Sequence, residues 1–261
     1  MFHLSQVEIH LWLAYYDRND SDKTYEAYRE VLSERERQQE LRFYFLRDRR
    51  RYILTRALVR TVLSTYVSVR PQDWLFSANA YGRPEIMNAQ GRGAQLSFNI
   101  SHTHSLIVLG ITKRRALGVD VENVRTRKIS IDIADQFFSP SEVANLSALP
   151  PAHQHDRFFE YWTFKESYIK ARGMGLSIPL DKFSFRFPHD RAVVLSIDPS
   201  LGDRSDRWQF WQFRPTAEYL VAVCAERVDT QSPSIVVREV VPMADEKLLS
   251  PAMSRTSDRS S

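Results

Sequence analysis

The 261-residue sequence has one cysteine, no long hydrophobic run and no strong excess of either charge. A single thiol excludes an internal disulfide framework, and Cys224 lies in an apolar stretch where a buried, inert thiol is expected. The longest apolar runs, 106–111 and 220–225, fall far short of the ~20 residues of a membrane-crossing helix. Glu8 and His10 interrupt the apolar N-terminal stretch, no signal-peptide pattern is visible, and the cytoplasm is the expected address. A phosphate-cradling glycine loop of the G-x-x-x-x-G-K-[ST] kind is missing, which argues against a P-loop enzyme. The net charge is only +4, and the arginines cluster between Arg47 and Arg60 with no recognition motif and no basic tail. That cluster reads as the solvated face of an amphipathic helix, so neither a nucleic-acid nor a membrane partner is expected.

What is present suits a soluble α+β protein. At 43% hydrophobic and 12% aromatic residues, the chain can bury one large core or two small ones. Alternation predicts a strand over 7–13, and helical periodicity follows over about 24–42 and 48–67, closed by Pro71. Short strands are predicted over 74–78, 96–100, 106–111 and 117–121, then helices from about 131, 139 and 158. Strands return over 183–187, 193–197, 208–213 and 219–225. A basic turn near residue 113 divides the pattern into an N-terminal half, 1–113, and a C-terminal half, 114–228. In the remaining 229–261, residues 235–241 read as an edge strand and those from Met243 onward as a disordered tail.

Chemistry concentrates in four places. In YWTFKESYIKARGMGL, from Tyr161 to Leu176, helical spacing puts Phe159, Trp162, Glu166 and Lys170 on one face. A carboxylate flanked by rings needs a cation or donors, which a metal or a phosphate with its counter-ions would supply. Gly173 and Gly175 follow this helix and read as its stop signal. In LGVDVE, strand alternation turns Leu117, Val119 and Val121 to one face and Asp120 and Glu122 to the other. Alone, that pair reads as a solvated strand face; with Glu166 beside it, the three carboxylates suit Mg²⁺. In LSFNISHT a strand opens into Ser101 and His102, which suit a phosphate, as does Arg83 in the turn YGRP. Arg51 shares a helix face with Thr55, Leu58 and Val62, unlike Arg49, Arg56 and Arg60, so it either snorkels along the core or holds a buried anion.

Together, YGRP, FNISH, GVDVE and WTFKESYIKARGMGL, in this order and spacing, resemble the 4'-phosphopantetheinyl transferases of the long, Sfp-type class, over roughly residues 33–225. The resemblance implies a monomer of two similar α/β halves related by a pseudo-twofold axis, with coenzyme A bound as substrate in the cleft between them. It implies Mg²⁺, with Mn²⁺ as an alternative, held by Asp120, Glu122 and Glu166. Lys170 would reach the pyrophosphate with Lys165 assisting, Arg51 and His102 would hold the 3'-phosphate, and Arg83, Pro84 and Ser101 would lie by the adenine and its phosphates. Arg35 would add a cation, although Gln38 stands where relatives carry another basic residue. The implied reaction transfers 4'-phosphopantetheine from coenzyme A to a serine of an acyl or peptidyl carrier protein, releasing 3',5'-ADP (holo-[acyl-carrier-protein] synthase activity). For the base, Glu142 is one candidate, although Ser139-Pro140-Ser141-Glu142 also reads as a capping box; Glu166 or a metal-activated water competes. The implied carrier would be drawn to this mildly basic chain, with the helix from Ser139 as the expected docking element. Two rivals stand beside this reading: a non-catalytic coenzyme A or nucleotide-binding module, and another Mg²⁺-dependent phosphotransferase.

Overall fold

The computed structural model describes residues 1–16, 21–126, 131–228 and 231–257. The chain opens with β1 (Glu8–Tyr15), then α1 (Asp22–Glu30), α2 (Glu34–Glu40) and α3 (Leu46–Ser64). A small hairpin, β2 (Phe76–Ala78) and β3 (Pro84–Ile86), and a single turn α4 (Ala89–Gly93) lead into β4 (Leu96–Thr103), β5 (Leu106–Lys113) and β6 (Leu117–Asn123). Two helices, α5 (Pro140–Ser147) and α6 (Pro151–Arg172), precede the hairpin β7 (Phe183–Arg186) and β8 (Val194–Ile197). The last strands are β9 (Trp208–Thr216), β10 (Tyr219–Glu226), β11 (Ser234–Val241), β12 (Asp245–Leu249) and β13 (Ala252–Thr256).

Two main sheets carry the architecture, one ordered β12-β11-β1-β5-β4 and the other β13-β9-β10-β6. Strand alternation sorts their side chains into three cores. Ile9, Leu11, Leu13, Leu106 and Val108 of the first sheet meet Leu117, Val119, Val121, Val221 and Val223 of the second in a central core. The opposite face of the first sheet, through Trp12, Ile107, Leu109 and Ile111, packs on Leu54, Leu58 and Val62 of α3. The opposite face of the second, through Leu220, Ala222 and Cys224, packs on Phe159, Phe164 and Tyr168 of α6. The order of layers is therefore helices, sheet, sheet, helix, which is why β5 and β10 read as continuous apolar runs. Each fully buried Val or Leu in these layers contributes roughly 1.5–3 kcal/mol. Cys224 is fully buried and free, and burial pushes its thiol pKa up, as an inert core thiol requires.

Three expectations need correction. The helix predicted over 24–42 is two helices, because Ser33 and Glu36 form a reciprocal capping box that starts α2 afresh. The arginine buried on α3 is Arg60, not Arg51: Arg60 is 2% exposed and pairs with Glu36 at 2.8 Å, whereas Arg51 is half-buried beside Asp48 at 3.1 Å. Over the described residues 231–257, the C-terminal segment is not an edge strand followed by a disordered tail; 258–261 lie outside the described residues. β11 pairs in parallel with β1 and antiparallel with β12, so it is an inner strand, and β13 pairs with β9 in the other sheet. Polar composition concealed this because Arg255 of β13 makes its contacts through charge. It donates to the carboxylate of Glu160 and to the carbonyls of His189 and Asp190, with its guanidinium 4.1 Å from the Phe187 ring centroid.

Candidate active site

The site begins with a seam between the two sheets. β6 has β10 on one side, and on the other its N–H groups meet side chains of β4 instead of a backbone ladder. Val119 N donates to Asn99 Oδ1 (2.9 Å), Val121 N to Ser101 Oγ (3.4 Å) and Asn123 N to Thr103 Oγ1 (3.1 Å). Alternate residues of a strand share a face, so one polar stripe in FNISHT serves three buried amides. On β6 the same alternation aims Asp120 and Glu122 away from the central core, toward α6.

α6 can lie directly on β6 because of Gly118. A Cβ at that position would run into the Ser167 carbonyl and the Ala171 amide. Close approach brings Lys170 Nζ to 2.6 Å from Asp120 Oδ1, and both to Ser101 Oγ at 2.9 Å. Trp162 Nε1 donates to Glu122 Oε1 at 3.0 Å, and Thr103 Oγ1 to Glu122 Oε2 at 3.4 Å. Asp120 Oδ2 is buried with no hydrogen-bond partner among the described residues. That orphaned oxygen, among carboxylate donors, fits a hard divalent cation. Among the described residues, however, no three carboxylate, imidazole or thiolate groups are already gathered into a metal-ready cluster.

Glu166 and Lys170 form one wall of a cleft of about 310 Å³. Opposite them stand the hairpin tip Tyr81-Gly82-Arg83-Pro84 and Asn99 and Ile100 of β4. α6 ends at Gly173, whose φ of 66° is the left-handed conformation glycine tolerates best. Asn79 Nδ2 donates to Gly173 O at 3.0 Å, fastening the hairpin to the helix end. Arg83 lines the cleft, but its guanidinium donates to the carbonyls of Lys170, Ala171 and Leu117, each at 3.2 Å. A cation at those last carbonyls complements the helix dipole. Burial lowers the Arg83 pKa, with Glu85 opposing. Pro84 is shared with a neighbouring pocket of about 240 Å³ that includes Arg92 and Ser97.

His102 is exposed; it follows Ser101 on β4 but is not among the residues that line the cleft. Its pKa is lowered by desolvation on its inner side and by the positive charges of Arg51 and Lys170, against Asp120 and Asp48. The four groups therefore share one neighbourhood with His102, and its positive members, Arg51 and Lys170, are the larger influence.

Glu142 and Lys165 are corrections. Both are 1% exposed, and they pair at 2.9 Å inside the second core. Glu142 completes a reciprocal capping box with Ser139 and accepts the Phe185 N–H at 2.8 Å. Lys165 Nζ also donates to the carbonyls of Leu180 (2.7 Å) and Phe183 (2.8 Å). Neither lines the cleft, so neither a base at Glu142 nor an assisting cation at Lys165 is supported. Conversely, Asn99, Thr103 and Gly118 were overlooked as site-building residues; the polar period-two stripe of β4 was the available signal.

Comparison with known proteins agrees with this geometry. Residues 116–224 match the family model described as the 4'-phosphopantetheinyl transferase superfamily, and 18–113 match that of the 4'-phosphopantetheinyl transferase N-terminal region. The chain is 34% identical over 215 residues to 4'-phosphopantetheinyl transferase Sfp of Bacillus subtilis (strain 168), covering 82% of this chain and 91% of Sfp. It is 34% identical over 170 residues to 4'-phosphopantetheinyl transferase HetI of a Nostoc species, covering 65% of this chain and 70% of HetI. β4 and the hairpin tip lie under the N-terminal match, and β6 and α6 under the superfamily match, so both walls of the cleft are accounted for. The chain belongs to the 4'-phosphopantetheinyl transferases, in their Sfp-type class.

Proposed function

We propose that this enzyme transfers 4'-phosphopantetheine from coenzyme A to a serine of a carrier protein, with Mg²⁺ and release of 3',5'-ADP. The observation that carries the reading is the meeting of Asp120, Lys170 and Ser101 beside a cleft that Glu166 also lines. Asp120, Glu122 and Glu166 would hold the divalent ion, which, when bound, neutralises charge on the pyrophosphate. Lys170, 26% exposed on the last turn of α6, presents its ammonium to that pyrophosphate. Arg51 and His102 take the 3'-phosphate, and the Tyr81–Pro84 tip and Ser101 border the adenine side.

The acceptor serine attacks the β-phosphate on the pantetheine side, the P–O bond to the 3',5'-ADP oxygen breaks, and the serine proton must leave as the new ester forms. A serine hydroxyl is a weak nucleophile at neutral pH, so a base must stand at the cleft. Glu166 is the carboxylate placed there, with Glu142 sequestered by Lys165. The two halves, 1–113 and 114–228, would be the pseudo-symmetric units, each supplying one wall, and the enzyme would act as a monomer. The single cysteine suits the cytoplasm.

The test is incubation with coenzyme A, Mg²⁺ and a panel of apo carrier proteins, read by intact mass. One added phosphopantetheine on a carrier is expected, and Asp120→Asn or Glu166→Gln should slow the rate roughly 10²-fold or more while the fold persists. Full turnover in excess chelator would refute the metal assignment, and an obligate trimer by sedimentation would refute the monomer.

A further inference from the structure

The hairpin of β2 and β3 forms a two-stranded sheet of its own, separate from both main sheets. Its base is anchored by burial, with Ile86 in the core shared with α3 and the Phe76 ring against those of Trp74 and Phe98. Its tip carries Tyr81, Gly82, Arg83 and Pro84 of the cleft wall. A two-stranded hairpin by itself is marginally stable, so the position of that wall depends on what holds the tip.

Two side chains of the tip reach across to the C-terminal half. The Asn79 amide does two things at once. Its Oδ1 accepts the N–H groups of Tyr81 (2.9 Å) and Arg83 (3.0 Å), which closes the turn, and its Nδ2 donates to Gly173 O (3.0 Å), which ties the turn to the end of α6. Because Oδ1 faces two amide donors, the orientation of the side chain is fixed by its partners. From Arg83, Nη1 donates to Lys170 O and Ala171 O, and Nη2 to Leu117 O. One planar fork therefore spans the last turn of α6 and the first residue of β6, the two elements that carry Glu166, Lys170 and Asp120. Gly173 leaves room for both side chains: a Cβ there would stand 3.3 Å from Arg83 Cδ and Nη1 and 3.6 Å from Asn79 Nδ2. Asn79 is not among the residues that line the cleft, so its bond to α6 acts on the site only through the tip.

We propose that Asn79 and Arg83 are positioning residues for coenzyme A: they latch the hairpin tip to α6 and β6 and thereby set the width of the cleft, and Arg83 acts through this latch instead of as a phosphate ligand. The proposal rests on the transferase reading above. A phosphate needs a cation within reach, which lysine supplies as a point charge. The latch needs a fork that spans carbonyls of two elements, which lysine lacks.

The experiment uses the full chain, with coenzyme A binding followed by calorimetry and turnover on an apo carrier that the wild type modifies. Arg83→Lys keeps the charge, and Asn79→Ser keeps a turn acceptor but stops short of Gly173. Each should raise the coenzyme A KM and Kd roughly tenfold, the equivalent of one or two hydrogen bonds. kcat should fall far less than KM rises, because Asp120, Glu166 and Lys170 stay on β6 and α6. Dephospho-coenzyme A should weaken by the same factor, and the double variant should be little worse than either single one, because both break one latch. Should Arg83→Lys not fold, Asn79→Ser reads the same latch without touching a residue of the cleft wall. Arg83→Lys at wild-type KM overturns the proposal, since a point charge then suffices. So does a selective loss of 3'-phosphate preference in Arg83→Lys, which would put the guanidinium on that phosphate. A lower kcat at unchanged KM in both variants also overturns it, as the mark of a smaller folded fraction. A wild type that neither binds coenzyme A nor modifies a carrier overturns the transferase reading and the latch together, whereas a working wild type with unaffected variants removes the latch alone.

Discussion

His10 is 3% exposed, with Nδ1 at 2.7 Å from Tyr66 Oη and Nε2 at 3.8 Å from Glu8. Burial, and then the charge of Arg238, lower its pKa to about 4 from the ordinary 6.5, with Glu8 opposing. Between these values the unfolded chain takes up a proton that the folded chain refuses, so stability falls as pH drops from 6.5 toward 4. At 1.36 kcal/mol per unit the loss is about 3 kcal/mol. Melting curves of the wild type and His10→Asn across that window should show a shallower decline for the variant; parallel curves would contradict it. Arg51→Ala should weaken coenzyme A far more than dephospho-coenzyme A, since each charge-assisted phosphate contact contributes roughly 1.5–3 kcal/mol. If Arg51 merely packs its stem, both ligands weaken equally. Because an anion beside His102 favours the imidazolium, coenzyme A should also bind more tightly as pH falls toward the lowered His102 pKa, a trend absent in His102→Gln.

At the scale of elements, the decisive contact is α6 on β6. Gly118→Ala inserts a methyl against helix backbone, which cannot yield as a flexible side chain would. Overpacking of this kind costs roughly 1–3 kcal/mol and would move α6 away from the strand. Transfer activity should fall together with the melting temperature, and Gly93→Ala, where a Cβ meets nothing within 4 Å, should leave both unchanged. A Gly118→Ala enzyme of wild-type activity would mean that the Asp120–Lys170 geometry tolerates the displacement. The seam from β4 belongs to the same scale. Asn99, Ser101 and Thr103 serve β6 amides and thereby set the height at which Asp120 and Glu122 face the helix.

Over the whole molecule, the C-terminal segment joins the layers. β11 and β12 extend the first sheet and β13 extends the second, so the chain crosses from one to the other after both are built. Truncation after Pro242 should expose the outer edge of β11 and the flank of β9. A loss of several kcal/mol corresponds to a fall of roughly 10 °C in Tm for a chain of this size. Arg255→Ala, which removes the contacts to Glu160, to the His189 and Asp190 carbonyls and to the Phe187 ring but leaves the strand pairing in place, should give a smaller fall. A truncated protein that melts like the wild type would restore the idea of a dispensable tail.

Local chemistry was legible in the amino-acid order because it depends on near neighbours. Period-two alternation predicted which face of β6 carries Asp120 and Glu122, helical spacing put Glu166 and Lys170 one turn apart, Gly173 marked the helix end, and four motifs together resembled a family that the comparisons bear out. Pairing across distance was not legible. Whether Arg51 or Arg60 is the buried arginine depends on Glu36, 24 residues from Arg60, and Glu142 became a buried partner of Lys165 only when α5 met α6. A polar C-terminal segment looked unable to pack, yet its backbone found open strand edges, and edges exist only once sheets have formed. Sequence spacing specifies what one helix turn or strand face carries; burial and long-range hydrogen bonding are properties of surfaces brought together by folding, and tertiary structure alone decided them.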